Sequence, residues 1–192
     1  MYKRRKHSIS KSFLIQLFSI VPFALPLYYF NTTNEVQAGL EFQWDDDSGY
    51  KRLRWHQADS ERRARNTTYY FLRQSDRKSG LLKIDMKFPK KFKTNLTNKK
   101  INLCRVNIGG WDSRTKCLEN IPADFEISNE DGKTALSIFP FNPIPSNKDN
   151  YAVVIKSFNP MRSGLYQVHS YGQSSGQIPV SSYMGSWTIV ID

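Results

Sequence analysis

"LLKIDMKF", residues 81–88, decides the fold class. Leu82, Ile84, Met86 and Phe88 alternate with Lys83, Asp85 and Lys87. Side chains of an extended strand point to opposite faces in turn, so this spacing predicts a strand with one apolar and one charged face. Moving outward, "TYYFLR" (68–73) is aromatic and β-prone, and 100–108, 123–128, 135–141, 164–171 and 186–192 read as further strands. "YAVVIKSF" (151–158) is apolar on both alternations, which predicts a strand buried on both faces at the centre of a sheet. "SDRKSG", "NEDGK", "NPIPSNKDN" and "NPMRSG" separate these runs with turn-forming residues. Helical spacing is confined to "ADSERRARN" (58–66), which lacks an apolar face. The pattern predicts an all-β domain, an antiparallel β-sandwich of immunoglobulin-like or similar Greek-key topology.

The chain opens with Lys3, Arg4, Arg5 and Lys6, followed by an uncharged, mostly apolar run from Phe13 to Phe30 and a polar stretch ending Val36-Gln37-Ala38. A basic start, an apolar middle and small residues before a cleavage point predict an export signal over residues 1–38, cut after Ala38. An uncleaved signal anchor is the alternative, because the apolar run is just long enough to span a bilayer, although Pro22 and Pro26 interrupt it. The expected organisation is therefore residues 1–38 as signal peptide, 39–65 as a partly basic N-terminal arm, and 66–192 as the sandwich. Leu40, Phe42 and Trp44 in the arm suit an added strand. Either reading places residues 39–192 beyond the membrane, in periplasm or medium.

The 192 residues carry a formal charge of +11. Removing residues 1–38 takes away five of the 28 Lys/Arg and one of the 17 Asp/Glu, which leaves +7 on 154 residues. Part of the basic character therefore belongs to targeting. The two cysteines, Cys104 and Cys117, suit a disulfide in an exported chain. Closing this loop stabilises by about 3 kcal/mol in the chain-entropy account. Their spacing fits neither C-x-x-C nor a zinc ribbon.

The C-terminal half carries "IFPFNPIPSNKDNYAVVIKSFNPMRSGLYQV" and then "YMGSW". This order of a Pro-containing turn (Pro143, Pro145), Asn159-Pro160, Gly164 to Tyr166 and Tyr183-Met184-Gly185 resembles a cyanobacterial family of small exported proteins with a domain of unknown function, the DUF family numbered 2808. "TYYFLRQSDRKSGLLKIDMKFP" also looks like that family's opening strand pair, so the resemblance covers roughly residues 66–192. It implies export and a β-sandwich, and it implies no catalytic residue. Gly164 and Gly185 suit tight backbone positions, and Asn159-Pro160 suits a turn after a strand.

Three stretches invite a chemical reading. Gly172-Gln173-Ser174-Ser175-Gly176 matches the G-x-S-x-G of a nucleophile elbow, with His169 and His56 as candidate bases. An elbow needs a helix after the serine, and "QIPVSSYMGSWTIVID" predicts strand. No histidine follows Ser174, so a serine hydrolase of the envelope stands only as an alternative. Asp45, Asp47 and Gly49 mimic the start of a calcium loop, but Tyr50 and His56 occupy the positions that need Gly and Glu. The sequence thus predicts no catalytic residue, no cofactor and no metal ligand.

The third feature is basic. Lys51, Arg52 and Arg54 adjoin Trp55; Arg62, Arg63 and Arg65 follow; Lys90, Lys91 and Lys93 flank Phe92. Such residues form a candidate patch for an anionic envelope component, whether protein, acidic polysaccharide or anionic lipid surface. They also suit a solvated strand face or a protected edge. Export makes nucleic acid an improbable partner, and the membrane enters only through the N-terminal segment if that is uncleaved. The sequons at Asn66 and Asn95 matter only in a eukaryotic secretory pathway. The expected function is a non-catalytic binding or structural module of the cell envelope.

Overall fold

A computed structural model describes residues 49–174 and 180–192. The predicted signal, Leu40, Phe42, Trp44, Asp45 and Asp47 lie outside the described residues. Ten strands appear in chain order: β1 (Trp55–Gln57), β2 (Arg65–Leu72), β3 (Leu81–Phe88), β4 (Ile101–Asn107), β5 (Lys116–Ile121), β6 (Ala123–Glu130), β7 (Lys133–Pro140), β8 (Asn150–Phe158), β9 (Gly164–Ser174) and β10 (Ser181–Ile191). They form two five-stranded antiparallel sheets, ordered β1-β2-β8-β4-β5 and β10-β9-β3-β7-β6. This is the antiparallel sandwich expected, and the described residues contain no α-helix.

The alternation that predicted β3 puts Ile84, Met86 and Phe88 in the core. Its first apolar position differs from expectation: Leu81 is buried and Leu82 only half-buried. The ladder to β9 shifts register between Leu81 and Lys83, and this irregularity turns Leu81 inward. β8 lies between β2 and β4 at the centre of its sheet, as predicted. Tyr151, Val153 and Ile155 join the main core, while Ala152 and Val154 join Phe71, Cys104 and Val106 in a smaller cluster. That two-sided burial explains its unbroken apolar run. Trp187 is fully buried; it meets Tyr70 edge-on at 5.2 Å and donates its indole N–H to the Phe71 carbonyl at 3.2 Å.

Two strands escaped the sequence pattern. β1 has only three residues, and β5 exposes every residue from Lys116 to Asn120, so neither shows alternation. The Cys104–Cys117 disulfide forms, with Cα atoms 5.6 Å apart, and ties the exposed β5 to β4. The helical spacing at 58–66 makes no helix; residues 58–64 are a loop and 65–66 open β2.

From the expected arm, residues 51–57 enter the sandwich itself. The amide of Leu53 donates to the Ser186 carbonyl and the amide of Ser186 donates to the Lys51 carbonyl, both at 2.8 Å, in a parallel bridge to β10. The chain then crosses to the other sheet and pairs as β1 with β2. Leu53 is fully buried between these contacts. Gly185 is required here: its φ is +141°, and a Cβ would sit 2.6 Å from the Lys51 carbonyl oxygen. Both sheets, the described core and the disulfide lie within residues 49–192.

Candidate functional site: two basic ends of the sandwich

In an extended segment, residues two apart share a side. Arg52 and Arg54 therefore project together while Leu53 between them is buried. Arg73, just past the end of β2, joins them, and Arg52, Leu53, Arg54, Trp55 and Arg73 line an open cleft of about 510 Å³. The cleft is braced by Asp76, whose side chain is wholly buried. Asp76 accepts from the Arg73 amide (3.0 Å), from Arg73 Nε (3.0 Å) and Nη2 (3.1 Å), and pairs with Lys51 Nζ at 3.5 Å. Lys51 also donates to the Ser75 carbonyl at 3.1 Å. Asp76 thus answers Arg73 and Lys51. Arg52 and Arg54 are exposed and form no ion pair among the described residues.

Arg62, Arg63 and Arg65 sit at the other end of β2. Arg65 opens the strand and Leu72 closes it, so the two groups are separated by roughly 23 Å at about 3.3 Å per residue. Arg65 places its guanidinium 5.9 Å from the centre of the Phe158 ring. Lys93 adjoins Thr94, whose hydroxyl donates to the Phe158 carbonyl at 3.0 Å. Lys90 lies over the β6–β7 turn, its Cε 3.2 Å from where a Cβ on Gly132 would stand. Lys91 belongs to the same connection after β3 and is exposed. The nine candidate cations fall into two groups: Lys51, Arg52 and Arg54 at one end, the remainder at the other. Arg73, which completes the cleft, read in sequence only as the last residue of a strand; only its register beside residues 52–54 reveals it.

The serine reading fares differently. Ser174 ends β9 and accepts from the Ser79 hydroxyl at 2.6 Å. His169 is five residues away on the same strand, about 17 Å and on the opposite face. His169 instead places Nδ1 2.8 Å from Ser186 Oγ, which also meets the Tyr183 hydroxyl at 2.6 Å. His56 is on β1 in the other sheet, 6.1 Å from the Tyr69 ring. Among the described residues neither His169 nor His56 is brought to Ser174. The Ser186–His169–Tyr183 group was not anticipated. Ser186 is fully buried, its amide is spent on Lys51 and its carbonyl on Leu53, so it anchors the inter-sheet bridge. Burial raises the Tyr183 pKa, opposed by its hydrogen bond to Ser186, and keeps the phenol a neutral member of that anchor. Among the described residues, no group of three or more His, Cys, Asp or Glu is placed to hold a metal ion, and no helix is long and apolar enough to cross a membrane.

Two buried asparagines organise the second end. Asn66 donates to Asn159 Oδ1 at 2.9 Å, and Asn159 Nδ2 donates to the carbonyls of Glu61 (2.8 Å) and Asp59 (3.1 Å). Asn66 is engaged and buried, which leaves its sequon no room for a glycan.

Fold and surface together define a class: a disulfide-bonded antiparallel β-sandwich with cations gathered at two ends. The model of DUF2808, described as a protein of unknown function, matches residues 43–191, and the chain belongs to that family. No curated protein matches it in sequence. Among solved structures it is similar to the collagen-binding domain from a Staphylococcus aureus adhesin, at 11% identity over 71% of this chain and 95% of that one, with a TM-score of 0.35. It is also similar to the collagen-binding subdomain of the Enterococcus faecalis surface protein ACE, at 9% identity, 73% and 97% coverage and a TM-score of 0.39. AvmM, which catalyses macrocyclization in alchivemycin A biosynthesis, aligns at 7% identity, 76% and 94% coverage and a TM-score of 0.34. Likeness at this level carries nothing about activity.

Proposed function

We propose that the protein is an exported, non-catalytic binding module of the cell envelope that holds an anionic partner in the Arg52–Arg54–Arg73 cleft. One observation carries this reading. Arg52 and Arg54 are exposed on a concave surface without a carboxylate partner among the described residues, while Arg73 is fixed by the buried Asp76. Guanidinium forks match the paired oxygens of carboxylate and sulfate groups; those of Arg52 and Arg54 are available for this, whereas Arg73 already gives Nε and Nη2 to Asp76 and adds positive charge to the cleft. A concave cleft favours a discrete group on a chain, such as an acidic polysaccharide, over a flat surface. Export rests on the basic start and the apolar run from Phe13 to Phe30. Periplasm or medium is the expected location, with a signal-anchored form as the alternative, and an N-terminus at Gly39 in the protein recovered from its host is the expected outcome.

The binding test uses immobilised polygalacturonate and dextran sulfate with residues 39–192. Retention should fall with rising salt, as charge-driven contacts do, and Arg52→Gln combined with Arg54→Gln should weaken it at least tenfold. Retention unchanged in that variant ends the reading.

A further inference from the structure

The end of the sandwich opposite the cleft joins charge to exposed apolar side chains. Phe158 and Met161 are 54% and 64% exposed and lie three residues apart. Leu165 and its register partner Val190 are also exposed, but they lie on the outer face of the other sheet and do not extend this surface. Exposed cations surround Phe158 and Met161: Arg62, Arg63, Arg65, Lys93 and Arg162. The carboxylates bonded into this group of loops are Asp59, Glu61 and Asp192; Asp192 accepts from the Ser60 hydroxyl. The five cations outnumber these three, and further across the same end Lys90 and Lys91 stand near Asp131 of the β6–β7 turn. Elsewhere, exposed apolar residues such as Trp111 and Phe141 stand singly, which is ordinary for a protein surface.

The apolar tip is held outward by its own framework. Pro160 is buried, and Asn159 is fixed through Asn66, Asp59 and Glu61. The Asn159 amide donates to the Ala64 carbonyl at 2.9 Å and the Arg63 amide to the Pro160 carbonyl at 3.4 Å. Arg63 takes a left-handed φ of +60° in doing so. The Tyr166 hydroxyl donates to the Arg162 carbonyl at 2.7 Å. Tethered on both sides, Phe158 and Met161 cannot fold back onto the core.

We infer that this end docks on an anionic lipid surface, with Phe158 and Met161 entering the headgroup boundary and Arg62, Arg63, Arg65 and Arg162 pairing with lipid phosphates. Apolar tips ringed by cations are the physical requirement for such binding: the apolar groups supply burial and the cations supply attraction to negative headgroups. Docking here would direct the Arg52–Arg54 cleft away from the bilayer, since it lies at the far end of β2. The inference does not rest on the cleft having a ligand.

Residues 39–192 would be sedimented with vesicles of phosphatidylcholine alone and of phosphatidylcholine mixed with an equal amount of phosphatidylglycerol. Binding is expected only to the mixed vesicles. Phe158→Ser with Met161→Ser should weaken it roughly tenfold through lost apolar burial. Arg62→Gln with Arg65→Gln should weaken it about fivefold per arginine, whereas Arg52→Gln with Arg54→Gln should leave it unchanged. In a separate variant, Met161→Trp should shift its emission to the blue on mixed vesicles. No sedimentation with mixed vesicles, equal sedimentation with neutral ones, or indifference to the serine pair would each overturn the inference. Unchanged thermal unfolding of the serine pair confirms that the folded domain is being compared.

Discussion

The two flanks of the sandwich are closed by different means. On one flank, residues 51–57 bond to β10 and then to β2, so a single extended segment laces both sheet edges over a buried Leu53. On the other, the chain passes from β5 in one sheet to β6 in the other at Pro122, and β5 exposes nearly all its side chains. The first flank relies on burial and main-chain hydrogen bonds. The second gains little from burial and has a covalent bond instead. Apart from Ile121, which packs against the core at its end, β5 contributes mainly its ladder, and the Cys104–Cys117 bridge adds a covalent tie to β4.

The largest expected effect comes from the laced flank. Leu53→Ala should cost about 2–5 kcal/mol, because it opens a cavity where the sheets meet, and a shift in the denaturant midpoint measures it. Replacing Cys104 and Cys117 together by Ala should cost about 2–4 kcal/mol. If the flanks are independent, the two losses should add in the combined variant within about 0.5 kcal/mol; a larger deviation would mean that opening one flank already loosens the other. Mass spectrometry of the unreduced exported protein should show Cys104 joined to Cys117.

A smaller effect should appear with pH. Tyr70, the register partner of Trp55 in β1, is buried, and burial raises its pKa above the ordinary value of 10.0. The folded state then keeps a proton that the unfolded chain loses. This contribution is intact below pH 10 and is lost as pH rises from there through the folded value. Tyr70→Phe should flatten that alkaline decline in the unfolding midpoint. The smallest effect sharpens the separation of stability from binding: Arg52→Gln and Arg54→Gln should each change stability by less than about 0.5 kcal/mol, although they flank Leu53 in the same segment. A large loss from either would show that the arginines hold the flank as well as the cleft.

Much of the sandwich was legible because side-chain alternation is local. Ile84, Met86 and Phe88 in β3 and the two-sided burial of β8 follow from a period of two, and the cysteine pair was legible from its number and context. β1 and β5 were not, since three residues, or five exposed ones in a row, leave no period to read. Leu81 displaced Leu82 because a bulge in a ladder depends on a partner strand far away in sequence.

The chemistry divides along the same line. His169 and Ser174 stand five residues apart in sequence, yet an extended strand carries them to opposite faces, and the bridge at Gly185 hands His169 to Ser186 instead. Arg54 and Arg62 are eight residues apart, yet β1 and the loop after it run alongside β2 from its Leu72 end to its Arg65 end and carry them to opposite ends. By itself the sequence determined strand periodicity, the charge inventory and the cysteine pairing, because each depends on neighbours or on simple counting. Only the tertiary structure decided which cations meet and which apolar tips they surround, because register and sheet order are set by contacts between distant segments, such as Leu53 with Ser186, more than a hundred residues apart.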